Sequence, residues 1–131
     1  MKERLRGYAR LLDEIDIKER RARAVDGVDR YACRRAKRAL GGRLERLKLK
    51  EACERERLTG IISKLDCEKQ RQVLFARYFD GHSWMTVCEL VFGARQDFEE
   101  KAESYQRRIF RIHGNALDNL NKLSNEGEHE L

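Results

Sequence analysis

The sequence predicts an all-α fold, and three observations carry that expectation. None of the 131 residues is proline, 40% are charged, and apolar residues recur at intervals of three and four along much of the chain. A composition led by Leu, Ala, Arg, Glu and Lys favours long helices and offers little to a pleated sheet. A chain of this length can bury about two thirds of its unfolded surface, so one compact domain with an attached helical arm is expected without disulfide or metal support.

The first stripe is Leu5, Tyr8, Leu12 and Ile15, one face of an amphipathic helix. It fades between about 20 and 38, where RRARAVDGVDRYACRRAKR reads as weak helix or a basic connector, with Gly27 and the Gly41-Gly42 pair as the expected breaks. A second run follows with Leu44, Leu47, Leu58, Ile61, Ile62 and Leu65, interrupted by Glu51 and Arg55. These two segments pack either as an antiparallel pair within one chain or as a dimerising coiled coil. The stripe is too broken to decide, because a coiled coil needs three or four sustained heptads. Residues 1–60 are thus expected to form a basic helical arm, through which a homodimer is one available pairing.

Residues 66–79 predict a third helix capped by Asp66, with Glu68 at the positive end of its dipole. The turn Asp80-Gly81-His82 ends it. Ser83 is the expected N-cap of a short fourth helix whose Trp84, Val87, Cys88 and Val91 share one buried face, with Trp84 as a core anchor. Residues 92–103 connect it to a last helix expected to start at a Ser104 cap. There Tyr105, Ile109, Ile112, Ala116, Leu120 and Leu123 line one face and Arg107 and Arg111 the opposite one. The acidic tail over 125–131 is expected to fray.

Charge is uneven: residues 1–60 hold 19 Lys/Arg against 11 Asp/Glu, and the remainder 10 against 12. Clustered positive charge suits a polyanion, because each neutralised phosphate releases counterions. The four cysteines, Cys33, Cys53, Cys67 and Cys88, contain no Cys-x-x-Cys pair, and His82, His113 and His129 form no companion cluster. No metal site or cofactor is expected, and the thiols read as reduced small hydrophobes. Residues 1–16 lack the apolar core of a signal peptide, and no apolar run reaches the roughly 20 residues of a membrane span. A cytosolic protein with no membrane contact is expected. No acid/base pair, nucleophile set or Gly-rich phosphate loop stands out, so the residues do not suggest an enzyme.

Two helices with a shared apolar interior, the second presenting arginines from its first turns, are what a helix-turn-helix requires. Arg107 and Arg111 are the first candidates for base contacts, flanked by Gln106 and Arg108. Ser104 and Ser83, at helix starts, are candidates for phosphate contact. In the arm, Arg34, Arg35, Lys37 and Arg38 are candidates for sequence-independent phosphate contacts, together with Arg20, Arg21, Arg23 and Arg43. The alternative for these is pairing with neighbouring glutamates.

The stretch RQVLFARYFDGHSWMTVCEL resembles the part of sigma factor region four in which a helix ending Arg-Tyr is followed by a small-residue turn and a helix with Trp, an aliphatic and a small residue, here Trp84, Val87 and Cys88. SYQRRIFRIHGNALDNL resembles the recognition helix of region-four-like regulators of phages and prophages, of the RinA and ArpU type, most specifically over residues 111–117. The resemblance covers about residues 61–123. It implies a helix-turn-helix domain over 61–124, binding of double-stranded promoter DNA, control of phage or prophage genes in a bacterial cytoplasm, and RNA polymerase as a partner. It leaves no room for the promoter-melting region of a full sigma factor, so an activator or auxiliary regulator is implied. One departure is the dozen-residue insert over 92–103, where such regulators have a short turn. The insert is expected to pack through Phe92 and Phe98 or to alter how the last helix meets DNA, with its acidic end, Asp97, Glu99, Glu100 and Glu103, pointing away from the duplex. A small-terminase-like packaging protein and a helical adaptor without nucleic-acid binding remain the alternatives, separable by oligomeric state.

Overall fold

The computed structural model describes residues 1–25 and 30–129. It is all-α, with no strand among the described residues: α1 spans Lys2–Val25, α2 Arg30–Ile62, α3 Glu68–Leu74, α4 Trp84–Phe92 and α5 Ala102–His129, and a π-helical turn over Phe75–Phe79 extends α3. None of the helices is long and apolar enough to cross a membrane.

Helices α1 and α2 pair antiparallel within the chain. Arg4 Nε donates to Glu54 at 2.5 Å, the Tyr8 hydroxyl to Glu51 at 2.8 Å, and Lys48 meets Glu19 at 3.0 Å, so rising numbers on α1 meet falling numbers on α2. Glu51, an interruption in the apolar pattern, is buried with two partners, the Tyr8 hydroxyl and Arg55 Nη2 at 3.2 Å. Paired this way it spares α2 the cost of an unsatisfied carboxylate.

Of the two readings of 20–38, weak helix or basic connector, helix is what the described residues adopt, up to Val25 and again from Arg30, and Gly27 lies outside the described residues. Nor does the Gly41-Gly42 pair break α2, which runs 33 residues. Each glycine costs about 1 kcal/mol relative to Ala in a helix. The Arg, Ala, Leu, Glu and Lys residues around the pair favour helix enough to carry it across.

Two apolar clusters hold the fold. In the first, Leu5 and Tyr8 of α1 and Leu58 and Ile62 of α2 pack on Ala116 and Leu120 of α5, so the base of the arm and the C-terminal half share one core. In the second, Val73 and Ala76 meet Val87, Cys88 and Phe92 of α4 and Tyr105 and Ile109 of α5. A fully buried Leu, Ile or Val contributes about 1.5–3 kcal/mol.

Asp66 does not cap α3. The N-cap is Cys67, without a side-chain bond, because buried Leu65 draws the preceding turn inward and leaves Asp66 exposed outside it. The Arg71 guanidinium instead ties the turn by donating to the Leu65 carbonyl. At the other end the Asp80 N–H reaches back five residues to the Phe75 carbonyl at 3.0 Å, the His82 N–H bonds Ala76 O at 3.0 Å, and Gly81 takes φ +70°, a conformation that favours glycine.

Ser83 caps α4 as expected, its Oγ accepting the Thr86 N–H at 3.3 Å. Val87 and Cys88 are buried, while Trp84 and Val91 are half-buried. Residues 93–101 wind as successive turns, Phe98 N–H to Arg95 O at 3.1 Å and Lys101 N–H to Asp97 O at 3.0 Å, and run directly into α5. Of the two readings of the insert, packing through Phe92 and Phe98 is what occurs: Phe92 is buried and Phe98 stacks on Tyr105 at 5.8 Å. Because these turns lead in, α5 starts at Ala102 and Ser104 lies inside its first turn, not at its cap. The helix then continues past residue 124 to His129.

Candidate nucleic-acid interface

Helix α5 turns its apolar face into both clusters, which fixes what the opposite face presents. At 100° per residue Ser104, Arg107, Arg108 and Arg111 fall on one side, away from buried Tyr105, Ile109, Ala116 and Leu120, and all four are exposed. Arg107 and Arg111 take part in no ion pair or hydrogen bond with a described residue. Arg108 differs: its guanidinium lies 4.8 Å from the Phe92 ring centroid and 5.6 Å from that of Tyr105, so it also covers the second cluster. Gln106 is half-buried on another side of the helix and does not join the row. Exposed Glu103 stands one turn before Arg107.

The start of α4 leans on the third turn of α5. Trp84 meets Phe110 edge-on at 5.1 Å and His113 at 4.7 Å, and Arg77 covers its other side at 4.6 Å. Trp84 is therefore a half-buried wedge between elements and not a fully enclosed anchor. Ser83 is exposed just before it, with its hydroxyl engaged by Thr86. His113 is buried and its Nε2 lies 2.7 Å from the Tyr78 hydroxyl. Burial first, then the charges of Lys2, Arg77 and Arg6, push its pKa down to about 4, which leaves a neutral imidazole at neutral pH.

In the insert the Tyr105 hydroxyl donates to Asp97 Oδ1 at 2.5 Å and holds that carboxyl below the usual carboxylate range. Glu99, Glu100 and Glu103 are exposed.

No family model, curated protein or solved structure matches the chain. Its functional reading accordingly rests on the residues and their arrangement.

Arg34, Arg35, Lys37 and Arg38 are exposed on α2 but are not brought to α5. They lie twenty or more residues before Leu58, about 30 Å along the helix at 1.5 Å per residue. Arg21, Arg23 and Arg43 are exposed as well, whereas Arg20 pairs with Asp16 at 2.9 Å.

The fold also gathers charges of α1 into a cleft with α4 and α5, which sequence reasoning missed. A cleft of about 890 Å³ opens between α1 and the π turn, α4 and α5, and Lys2, Arg6, Arg10, Arg77, Trp84 and Phe110 are among its walls. Phe110 is 51% exposed although it sits on the charged side of a helix. Spacings of four between Lys2, Arg6 and Arg10 are a visible signal, but nothing local says that the first turns of α1 reach α5.

Proposed function

We propose that this chain is a sequence-specific DNA-binding regulator of transcription that reads promoter duplex with the first three turns of α5. The observation that carries the reading is the exposed pair Arg107 and Arg111, without an ion-pair or hydrogen-bond partner among the described residues and one turn apart on a helix whose other face is locked into two cores. A rigidly held arginine donates two parallel hydrogen bonds to guanine, worth about 1–3 kcal/mol of base discrimination. Ser104 extends the row, Arg108 borders it, and the start of α4 packs on the same helix through Trp84 and Phe110, as a positioning helix does in a helix-turn-helix. Control of phage or prophage genes in a bacterial cytoplasm, with RNA polymerase as a partner, follows from the resemblance to region-four-like regulators. Two chains joined through their arms would read a two-fold site.

Selection of preferred duplexes from a random pool, followed by retardation of the selected and of unrelated DNA, tests the reading. The selected duplex is bound preferentially, and Arg107→Ala with Arg111→Ala removes the preference while the helical content stays. Equal binding of all duplexes by the wild type removes specificity from the proposal. Absence of binding at low salt removes nucleic acid altogether.

A further inference from the structure

We propose that α1 forms a phosphate-binding wall beside the reader helix, in which Lys2, Arg6 and Arg10 take the backbone of the strand flanking the groove and Phe110 meets an apolar base edge. This rests on the DNA-binding reading and adds a surface to it.

The three cations occupy positions i, i+4 and i+8, hence one side of α1, and all three are exposed and line the same cleft as Phe110. Lys2 and Arg10 have no ion-pair or hydrogen-bond partner among the described residues, and Arg6 has only the exposed Glu3 at 3.3 Å. The row spans about 12 Å along the helix axis, too long for one small anion and suited to successive phosphates of a strand. Across the cleft Phe110 is one residue from Arg111 and three from Arg107. A base edge reached by either arginine lies next to its ring, and a thymine methyl is the apolar group a major groove offers. Lys2, Arg6 and Arg77 line the cleft together with buried His113 of α5.

Acidic groups also face the cleft and set its limits. Glu3 belongs to Arg6, and Asp16 is matched by Arg20 at 2.9 Å. Asp13 follows Arg10 along α1 and Asp80 lies beyond the π turn, so the phosphate-accepting stretch ends after the third turn of α1.

The test measures duplex binding by the full chain across a salt series, with Lys2, Arg6 and Arg10 all changed to Gln. The slope of log affinity against log salt falls by about 0.9 for each phosphate no longer neutralised, so by two to three in all, and selected and unrelated duplexes weaken equally. An unchanged slope, with wild-type binding intact, overturns the wall and leaves the reader standing. A wild type that binds no duplex overturns both. Should the triple variant fail to fold, Arg10→Gln alone decides, since Arg10 is exposed and has no ion-pair partner among the described residues: its slope falls by about one or the wall is wrong. Asp13→Asn gives the opposite sign, tighter binding to every duplex.

Discussion

The Tyr78 hydroxyl and Nε2 of His113 stand 2.7 Å apart, inside the seam where the π turn meets α5. Either partner can donate, depending on the imidazole tautomer, and burial favours the neutral ring. Because the folded pKa of about 4 lies below the ordinary 6.5, the unfolded chain binds the extra proton between those values, and stability falls as pH drops through that window. At about 1.36 kcal/mol per pKa unit the loss reaches about 3 kcal/mol. Denaturant titrations from pH 7 to pH 4 should show this slope in the wild type and not in His113→Gln. An equal slope in both would falsify the assignment to His113.

Tyr8→Phe removes the phenol that donates to buried Glu51 and should cost about 1–3 kcal/mol of unfolding free energy. Adding Glu51→Leu should recover much of it, since no carboxylate is then left short of a donor. If Tyr8→Phe alone is neutral, the pair does not contribute to docking α1 on α2.

Arg107 and Arg108 are adjacent, both exposed and identical in chemistry, yet only Arg108 lies over Phe92. Thermal unfolding should register Arg108→Ala as about 0.5–1 kcal/mol less stable, with Arg107→Ala indistinguishable from wild type. DNA preference should show the reverse ranking. Matching stability losses in the two variants would contradict the stacked placement.

Ser83→Ala deletes the acceptor for the Thr86 N–H and should destabilise the protein by about 1 kcal/mol. Ser83→Asp restores an acceptor and should recover the melting temperature. A loss that Asp does not recover would point to a role for Ser83 other than the cap.

Much of this arrangement is legible along the chain. The faces of α1, α4 and α5 follow from apolar spacing, and the Ser83 cap from one residue type before an apolar run, because both are local signals. Glu51 reads as an interruption since its partner Tyr8 is 43 positions away. Ser104 reads as a cap since nothing local shows that residues 93–101 already coil into the helix. A break at Gly41-Gly42 is what the sequence suggests for α2, since propensity penalties are local and the partner helix α1 is not. The row Arg107, Arg108 and Arg111 is visible as a set, but the stacking that distinguishes its middle member depends on Phe92, from another helix. The cationic side of α1 is visible as spacing and silent as function, because its meaning comes from the helix beside it.

Helix α2 leaves the core at Leu58 and carries Arg34, Arg35, Lys37 and Arg38 about 30 Å further out on one continuous rod. A change of charge at 34–38 therefore leaves both apolar clusters untouched, and substitutions there separate the chemistry of the arm's cations from the stability of the core.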